Sequence, residues 1–129
     1  DPAEKPSMFM ERVVEFSWSG HILWHLDIHR ILPYRTVRDA DAAEGECQEH
    51  TADHKCHDPF HGNTINWDLR EPGTGDGILY YNSRHLNTFW KIDKRSKTVI
   101  WGLGEVGNFT MYNMSGHRRK SLFYHAHVP

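Results

Sequence analysis

Histidine dominates the residues of this 129-residue chain that could do chemistry, with eleven copies. Near neutral pH an imidazole changes between its charged and uncharged forms, so it can attack an electrophile, carry a proton or bind a metal. Most of these histidines fall in polar loops or turns, where a solvated side chain is the ordinary expectation. Four remain as candidates for a chemical role: His57, His61, His125 and His127.

The two cysteines, Cys47 and Cys56, lie in a long polar and acidic insertion at residues 35–60. A disulfide between them would limit the freedom of the unfolded loop, as is common in secreted proteins. Zinc binding is the alternative, because thiolate and imidazole are its usual ligands and three histidines lie between residues 50 and 57. The insertion contains no CxxC pair and matches no standard zinc module. A disulfide is therefore predicted, and no metal site.

Asn108 and Asn113 each begin an Asn-x-Ser/Thr triplet without a central proline, in a polar loop at residues 105–121. Such triplets are the acceptors for N-glycosylation in secreted proteins. Two accidental matches are the alternative. Together with the candidate disulfide, the pair favours a secreted, extracellular glycoprotein.

The elements that must position these groups have the pattern of short antiparallel β-strands. Period-two alternation, β-branched and aromatic residues, and frequent turns with glycine, proline or charge all favour strands. In the third strand of the central unit, Thr88, Trp90 and Ile92 fall on one face. Strands are predicted at residues 12–16, 21–26, 64–67, 78–83, 87–92, 99–101 and 122–125.

A similar hairpin occurs twice in the chain, at residues 12–26 and 88–103. Both copies have a strand, a tight polar turn and a second strand that ends in Trp-x-Leu. Recurrence of one hairpin is typical of radial repeats such as β-propellers. The predicted fold class is therefore all-β, with antiparallel β-propeller blades in a partial or open propeller. Trp24, Trp90 and Trp101 are expected to be buried.

This fold predicts that the chain contains about one and a half blades and divides into six parts. The parts are an N-terminal tail (1–9), a hairpin of a preceding blade (10–34), the insertion (35–60), a four-stranded blade (61–104), the loop with the glycosylation triplets (105–121) and the start of the next blade (122–129). Propellers need about four to eight blades to close. The expectation is a fragment of a longer protein or a member of an assembly, whose open strand edges contact further blades or another copy.

Three motifs and a downstream histidine, taken in order, resemble the arylsulfate sulfotransferase family. They are His61-x-Asn-Thr-Ile, Asn-Ser-Arg84-His, and Lys-Ile-Asp-x-x-Ser-Lys-x-Val-Ile-Trp-Gly-Leu-Gly, followed by His125. The resemblance covers residues 10–34 and 57–129. It implies a β-propeller enzyme that moves a sulfuryl group between phenols without a nucleotide donor and without a cofactor.

By this resemblance, His125 is the nucleophile that becomes sulfated, Arg84 holds the sulfuryl oxygens and His61 is a second imidazole. A guanidinium presents its donors to an oxyanion in a rigid fork, and an imidazole nitrogen can carry a transferred group. A further histidine of the family, from an earlier blade, has no counterpart here, so the chain alone is expected to lack a complete site.

Other interpretations of the same residues remain open. His61 could cap a strand, Arg84 could be a hairpin residue paired with a carboxylate, and His125 could be an ordinary strand residue. The alternative function is a secreted structural glycoprotein that builds assemblies from propeller hairpins without catalysis. A net charge of −2 gives no electrostatic argument for nucleic acid or anionic membrane as a partner. No apolar run approaches the ~20 residues of a membrane span.

Overall fold

The computed structural model describes residues 7–8, 10–33, 56–68 and 76–127. About half of these residues form strands, and the only helix among them is a single 3₁₀ turn, Ile28–Arg30. In chain order the strands are β1 (Ser7–Met8), β2 (Arg12–Phe16), β3 (Ile22–Asp27), β4 (Cys56–His57), β5 (Gly62–Asp68), β6 (Ile78–Ser83), β7 (Thr88–Asp93), β8 (Thr98–Gly104), β9 (Met111–Tyr112) and β10 (Arg118–Arg119).

The central element is a four-stranded antiparallel sheet in the order β5-β6-β7-β8. Each strand pairs with the next along the chain. Four-residue turns join β6 to β7 and β7 to β8, whereas the connection from β5 to β6 spans residues 69–77. Burial alternates along β7, with Thr88, Trp90 and Ile92 buried and the residues between them half-buried. This alternation is the one that the sequence predicts, and it identifies the face of the sheet that meets the core.

Three two-stranded sheets accompany the central one. β2 and β3 form the antiparallel hairpin that the sequence predicts, with a register shift between Glu15 and Phe16. β9 and β10 form a short antiparallel pair inside the predicted 105–121 loop, and β1 pairs with β4 in parallel. The prediction of an all-β, mainly antiparallel fold of propeller-blade type is confirmed.

The core lies where the buried face of β6 and β7 meets the end of the β2–β3 hairpin and the 3₁₀ turn. Its apolar side chains come from distant parts of the chain, which explains why the hairpin packs against the sheet. They are Leu26, Ile28, Leu32, Phe60, Leu79, Tyr81, Leu86, Trp90 and Ile92. Removal of such side chains from water is the main favourable contribution to folding.

A buried lysine joins the β2–β3 hairpin to the central sheet. Lys94 follows β7 and is only 2% exposed, and its ammonium pairs with Glu15 of β2. The ring of Trp24 lies 5.3 Å from the Lys94 Nζ, and Trp24 Nε1 donates to the Lys94 carbonyl oxygen at 3.1 Å. The turn at residues 93–97 has the sequence of a charged surface turn, yet its Lys94 places a positive charge in the interior.

The predicted strand at residues 122–125 is wrong, because these residues form no strand. The side chains of Asn63 and Asn82 donate to the carbonyl of Ala126, and the hydroxyl of Thr64 donates to the carbonyl of His127. Within the predicted strand itself, the N–H groups of Phe123 and His125 donate to the side chains of Ser121 and Asn87. Side chains thus take the place of the partner strand that a ladder would need.

The expectation of three buried tryptophans holds in part. Trp90 is 4% exposed, whereas Trp24 and Trp101 are half-buried. The ring of Trp24 lies against the ammonium groups of two lysines, and the ring of Trp101 packs edge-on to Phe109 at 5.7 Å. Both rings thus have only part of their area in contact with the rest of the described chain.

Candidate functional site

His61 lies immediately before β5, and Asp58 holds it in place. The backbone N–H of His61 donates to Asp58 Oδ1 at 2.9 Å, and its Nδ1 donates to Asp58 Oδ2 at 2.7 Å. Its backbone is in the left-handed region, with φ of 47°. Non-glycine residues adopt this conformation rarely, and such residues cluster at functional sites. The two contacts with Asp58 fix both the backbone and the ring.

Arg84 begins the turn that joins β6 to β7, directly beside His61. Its backbone N–H donates to the carbonyl of His61 at 3.1 Å, and the next N–H, of His85, donates to the carbonyl of Phe60 at 3.3 Å. Arg84 is half-buried. The structure therefore brings together two of the three residues assigned a catalytic role in the sequence.

His125 reaches the same end of the sheet in a segment without regular structure. Its backbone N–H donates to Asn87 Oδ1 at 2.8 Å, and the N–H of Asn87 donates to the carbonyl of Arg84 at 3.1 Å. His125 is exposed and has a φ of 49°, the second left-handed histidine of the site. Asn87 thus links the segment that carries His125 to the turn that carries Arg84.

Three asparagines hold the segment of His125 against β5, β6 and the turn of Arg84. None of them is predicted from the sequence to have a functional role. Asn63 lies in β5, two residues after His61, and Asn82 lies in β6, two residues before Arg84. The side-chain amides of both donate to the carbonyl of Ala126, at 3.3 Å from Asn63 and 2.5 Å from Asn82. Asn82 and Asn87 are buried, which is unusual for asparagine unless its amide is bonded. Their only sequence signal is an asparagine at the edge of a strand motif.

A second histidine stands next to His61. The rings of His61 and His85 have centroids 4.9 Å apart and are tilted by 31°. His85 Nδ1 donates to the backbone carbonyl of Asp58 at 2.5 Å. Asp58 therefore contacts both rings, one through its carboxylate and the other through its main chain.

An open cleft of about 530 Å³ lies between β2 and β5, lined by residues from Glu11 to Val14, by residues from Gly62 to Ile65 and by Tyr81, and His61, Arg84 and His125 are not part of its lining. Within it, Glu11 accepts the N–H of Gly62 at 2.7 Å and the hydroxyl of Tyr81. Burial, followed by the charge of Glu11, raises the pKa of Tyr81 well above its ordinary value. The tyrosine is thus a neutral hydrogen-bond donor at physiological pH, and it holds the carboxylate that fixes the start of β5.

The predicted modification sites are only partly described. Cys47 lies outside the described residues, so its pairing with Cys56, which is in β4, stays a prediction. Asn108 is exposed and its Oδ1 accepts the N–H of Gly102 at 2.9 Å. Asn113 is half-buried and its Oδ1 accepts two backbone N–H groups in the β9–β10 turn. Glycosylation would have to occur on the amide nitrogens of these side chains.

Comparison with known proteins gives one match. The family model described as arylsulfotransferase (ASST) matches residues 3–115. The matched region includes His61 and Arg84 and ends before His125. The search of curated proteins and the search of solved structures each found no match. Among the described residues, no helix has the length and apolar character needed to cross a membrane.

Proposed function

This chain belongs to the arylsulfotransferase family, and we propose that it transfers a sulfuryl group from an aryl sulfate to a phenol through a covalent intermediate on His125. The family supports aryl sulfates and phenols as the general substrate class. The observation that carries the proposal is the hydrogen-bonded path from His61 through Arg84 and Asn87 to His125 at one end of the central sheet.

The proposed reaction has two displacements at sulfur. A ring nitrogen of His125 attacks the sulfur of the donor, a nitrogen–sulfur bond forms, and the sulfur–oxygen bond to the aryl group breaks as phenolate leaves. The oxygen of the acceptor phenol then attacks the same sulfur, the nitrogen–sulfur bond breaks, and the phenol proton passes to an imidazole. His61 is the proposed proton carrier.

Arg84 is proposed to bind the sulfuryl oxygens during both displacements. Negative charge is spread over three oxygens of a planar, SO₃-like group, and a guanidinium offers several donors in one plane to such a group. Lysine keeps the charge but supplies a single ammonium, so it replaces this geometry poorly.

Complete activity is proposed to require further blades. The described residues form one four-stranded sheet and one hairpin of a fold that needs about four to eight blades to close. The central channel of a propeller, where inner strands of different blades face each other, would be assembled by a longer chain or by neighbouring chains.

Radiolabel transfer tests the mechanism. The protein, purified in the longer chain or assembly that supplies the further blades, incubated with an aryl [³⁵S]sulfate and digested, should carry the label on the peptide that contains His125, and a phenol should remove it. His125→Ala should lose both label and turnover, and Arg84→Lys should lose at least ~100-fold in kcat/KM, the scale of a transition-state contact. His117→Ala, a change in an exposed loop, should behave as the unmodified protein. Label retained by His125→Ala would overturn the proposal.

We further propose that the protein is a secreted glycoprotein with a Cys47–Cys56 disulfide and glycans on Asn108 and Asn113. Support comes from the presence of both secretory features in one short chain and from the half-buried or exposed asparagines. Peptide mapping of native protein without reduction should recover the two cysteine peptides joined and both asparagines modified. Thiols that alkylate in native protein would refute the disulfide, and unmodified asparagines would refute the glycans.

A structural role without catalysis is the second candidate, favoured by the large exposed aromatic side chains. Trp18 is fully exposed and Trp67 is 57% exposed, so both rings offer apolar area that a contact with another chain would bury. A protein that forms stable assemblies and shows no sulfuryl transfer with any aryl sulfate would support this candidate.

A further inference from the structure

Asp58, His61 and His85 form a cluster whose chemistry goes beyond the proposed role of His61. Each offers one ligand atom, these atoms lie within 4.8 Å of one another, and all three residues are half-buried. Among the described residues, this is the only such group of three or more histidine, cysteine or acidic side chains. We propose that the cluster binds a divalent transition metal, with zinc as the best fit.

The ligand types select this class of metal. Two imidazoles and one carboxylate, with a fourth position open, form a common set for catalytic zinc. Calcium and magnesium prefer oxygen ligands throughout, and imidazole is a poor match for them. Asp58 comes from the end of the insertion at residues 35–60, but neither cysteine belongs to the cluster, and its two imidazoles lie outside the insertion.

The ring positions fit a shared ion. Two imidazoles bound to one tetrahedral zinc through nitrogens at 2.0–2.1 Å have ring centres about 5 Å apart. The centroids of His61 and His85 are 4.9 Å apart. The Asp58 Oδ2 to His61 Nδ1 separation of 2.7 Å would open to about 3.3 Å around such an ion, as the metal replaces the shared proton. This adjustment is within the reach of side-chain rotation.

The backbone around the cluster is held in place before any metal binds. The N–H of His61 is bonded to the Asp58 carboxylate, and the N–H of His85 is bonded to the carbonyl of Phe60, which also accepts the hydroxyl of Ser83 at 2.7 Å. Phe60 itself is fully buried. A fixed backbone lowers the entropic cost of gathering ligands.

Metal binding would use a ring nitrogen of His61, so the metal-bound state and the proposed sulfuryl-transferring state would exclude one another. Binding itself rests only on the cluster and not on the proposed function. The two hypotheses therefore fail separately, because metal affinity is measured without any sulfate donor.

Calorimetric titration of the metal-free protein with Zn²⁺ is the first test. One equivalent should bind, and His85→Ala should weaken that binding by about 100-fold or more. Loss of a residue that only hydrogen-bonds a metal ligand already costs about 10–100-fold in metal affinity, and loss of the ligand itself should cost at least as much. The double change His50→Ala with His54→Ala, in the insertion, should leave this affinity unchanged. No binding, or equal affinity with His85→Ala, would overturn the proposal.

Two spectroscopic measurements on the unmodified sequence keep the test independent of how a variant folds. Co²⁺ should give the intense visible bands of a four-coordinate ion. In nitrogen-15 spectra of the imidazoles, Zn²⁺ should shift the ring signals of His61 and His85. Shifts confined to other histidines would overturn the proposal.

Discussion

At the residue scale, the two histidines proposed to act on the sulfuryl group share a rare backbone conformation. Four non-glycine residues among those described have positive φ, and two of them are His61 and His125. The other two, Asn87 and Lys97, lie next to hairpin turns, where this conformation is ordinary. His61 and His125 lie outside the hairpin turns, and their backbone N–H groups donate to the side chains of Asp58 and Asn87, which holds them in place.

Tyr81 is the residue whose ionisation should affect stability most clearly. Its ordinary pKa is 10.0, and burial, with the charge of Glu11, raises the pKa in the folded protein far above that value. Below pH 10 both the folded and the unfolded tyrosine are protonated, so its contribution is fully present. Above pH 10 only the unfolded state releases the proton, and rising pH then favours unfolding.

The expected effect is a loss of about 1.4 kcal/mol in the free energy of unfolding per pH unit above 10 from this residue. Urea unfolding at several values between pH 8 and pH 11 measures it. Tyr81→Phe cannot ionise and should show a shallower alkaline decline, although it is less stable at pH 8 because Glu11 loses a donor. Parallel declines for the two proteins would contradict the prediction.

At the element scale, the attachment of the β2–β3 hairpin to the central sheet depends on a buried charge. Glu15 in β2 is 22% exposed in its side chain and pairs with Lys94, whose side chain is 2% exposed. Glu15→Ala would leave the ammonium buried and without its carboxylate. We expect it to lower the free energy of unfolding by about 3 kcal/mol.

A matched exposed pair serves as the control for this change. The Arg95 side chain is 70% exposed and pairs with Asp76, so Arg95→Ala should cost less than about 1 kcal/mol. Urea unfolding monitored by tryptophan fluorescence compares both variants, and Trp24 beside Lys94 reports on the hairpin directly. Equal losses for the two variants would show that burial of Lys94 does not matter.

At the scale of the whole molecule, the edges of the central sheet predict association. In the described part of the chain, β5 pairs on one side only, with β6, and Ile65 and Trp67 on it are 38% and 57% exposed. An open strand edge with apolar side chains tends to pair with another chain.

The 129-residue chain prepared alone should therefore self-associate as its concentration rises. Ile65→Lys should weaken this association by at least ~10-fold, because a lysine on an edge strand opposes pairing. His117→Lys places a lysine in an exposed loop outside both glycosylation triplets and should have no effect. Light scattering over a concentration series distinguishes them, and a chain that stays monomeric throughout would refute the prediction.

The sequence by itself determined the class of fold and most of the strands. The alternation along residues 88–92 and the charged turn that follows are signals from residues close together in the chain. They predict a β-hairpin well because its contacts also join residues close together in the chain. The observed β6 has the predicted ends and β7 is shifted by one residue, whereas β8 (Thr98–Gly104) extends well beyond the predicted residues 99–101. The family motifs likewise identified His61 and Arg84, which the structure brings together.

Tertiary structure decided everything that depends on contacts between distant residues. Lys94 appears in the sequence as one charge in a surface turn, and only its contact with Glu15, far earlier in the chain, makes it a core residue. The segment around His125 has the composition of a strand, but the side-chain amides of Asn63 and Asn82 donate to the carbonyl oxygen of Ala126. Local patterning cannot report such pairs, because their free energy arises only when folding brings the partners together.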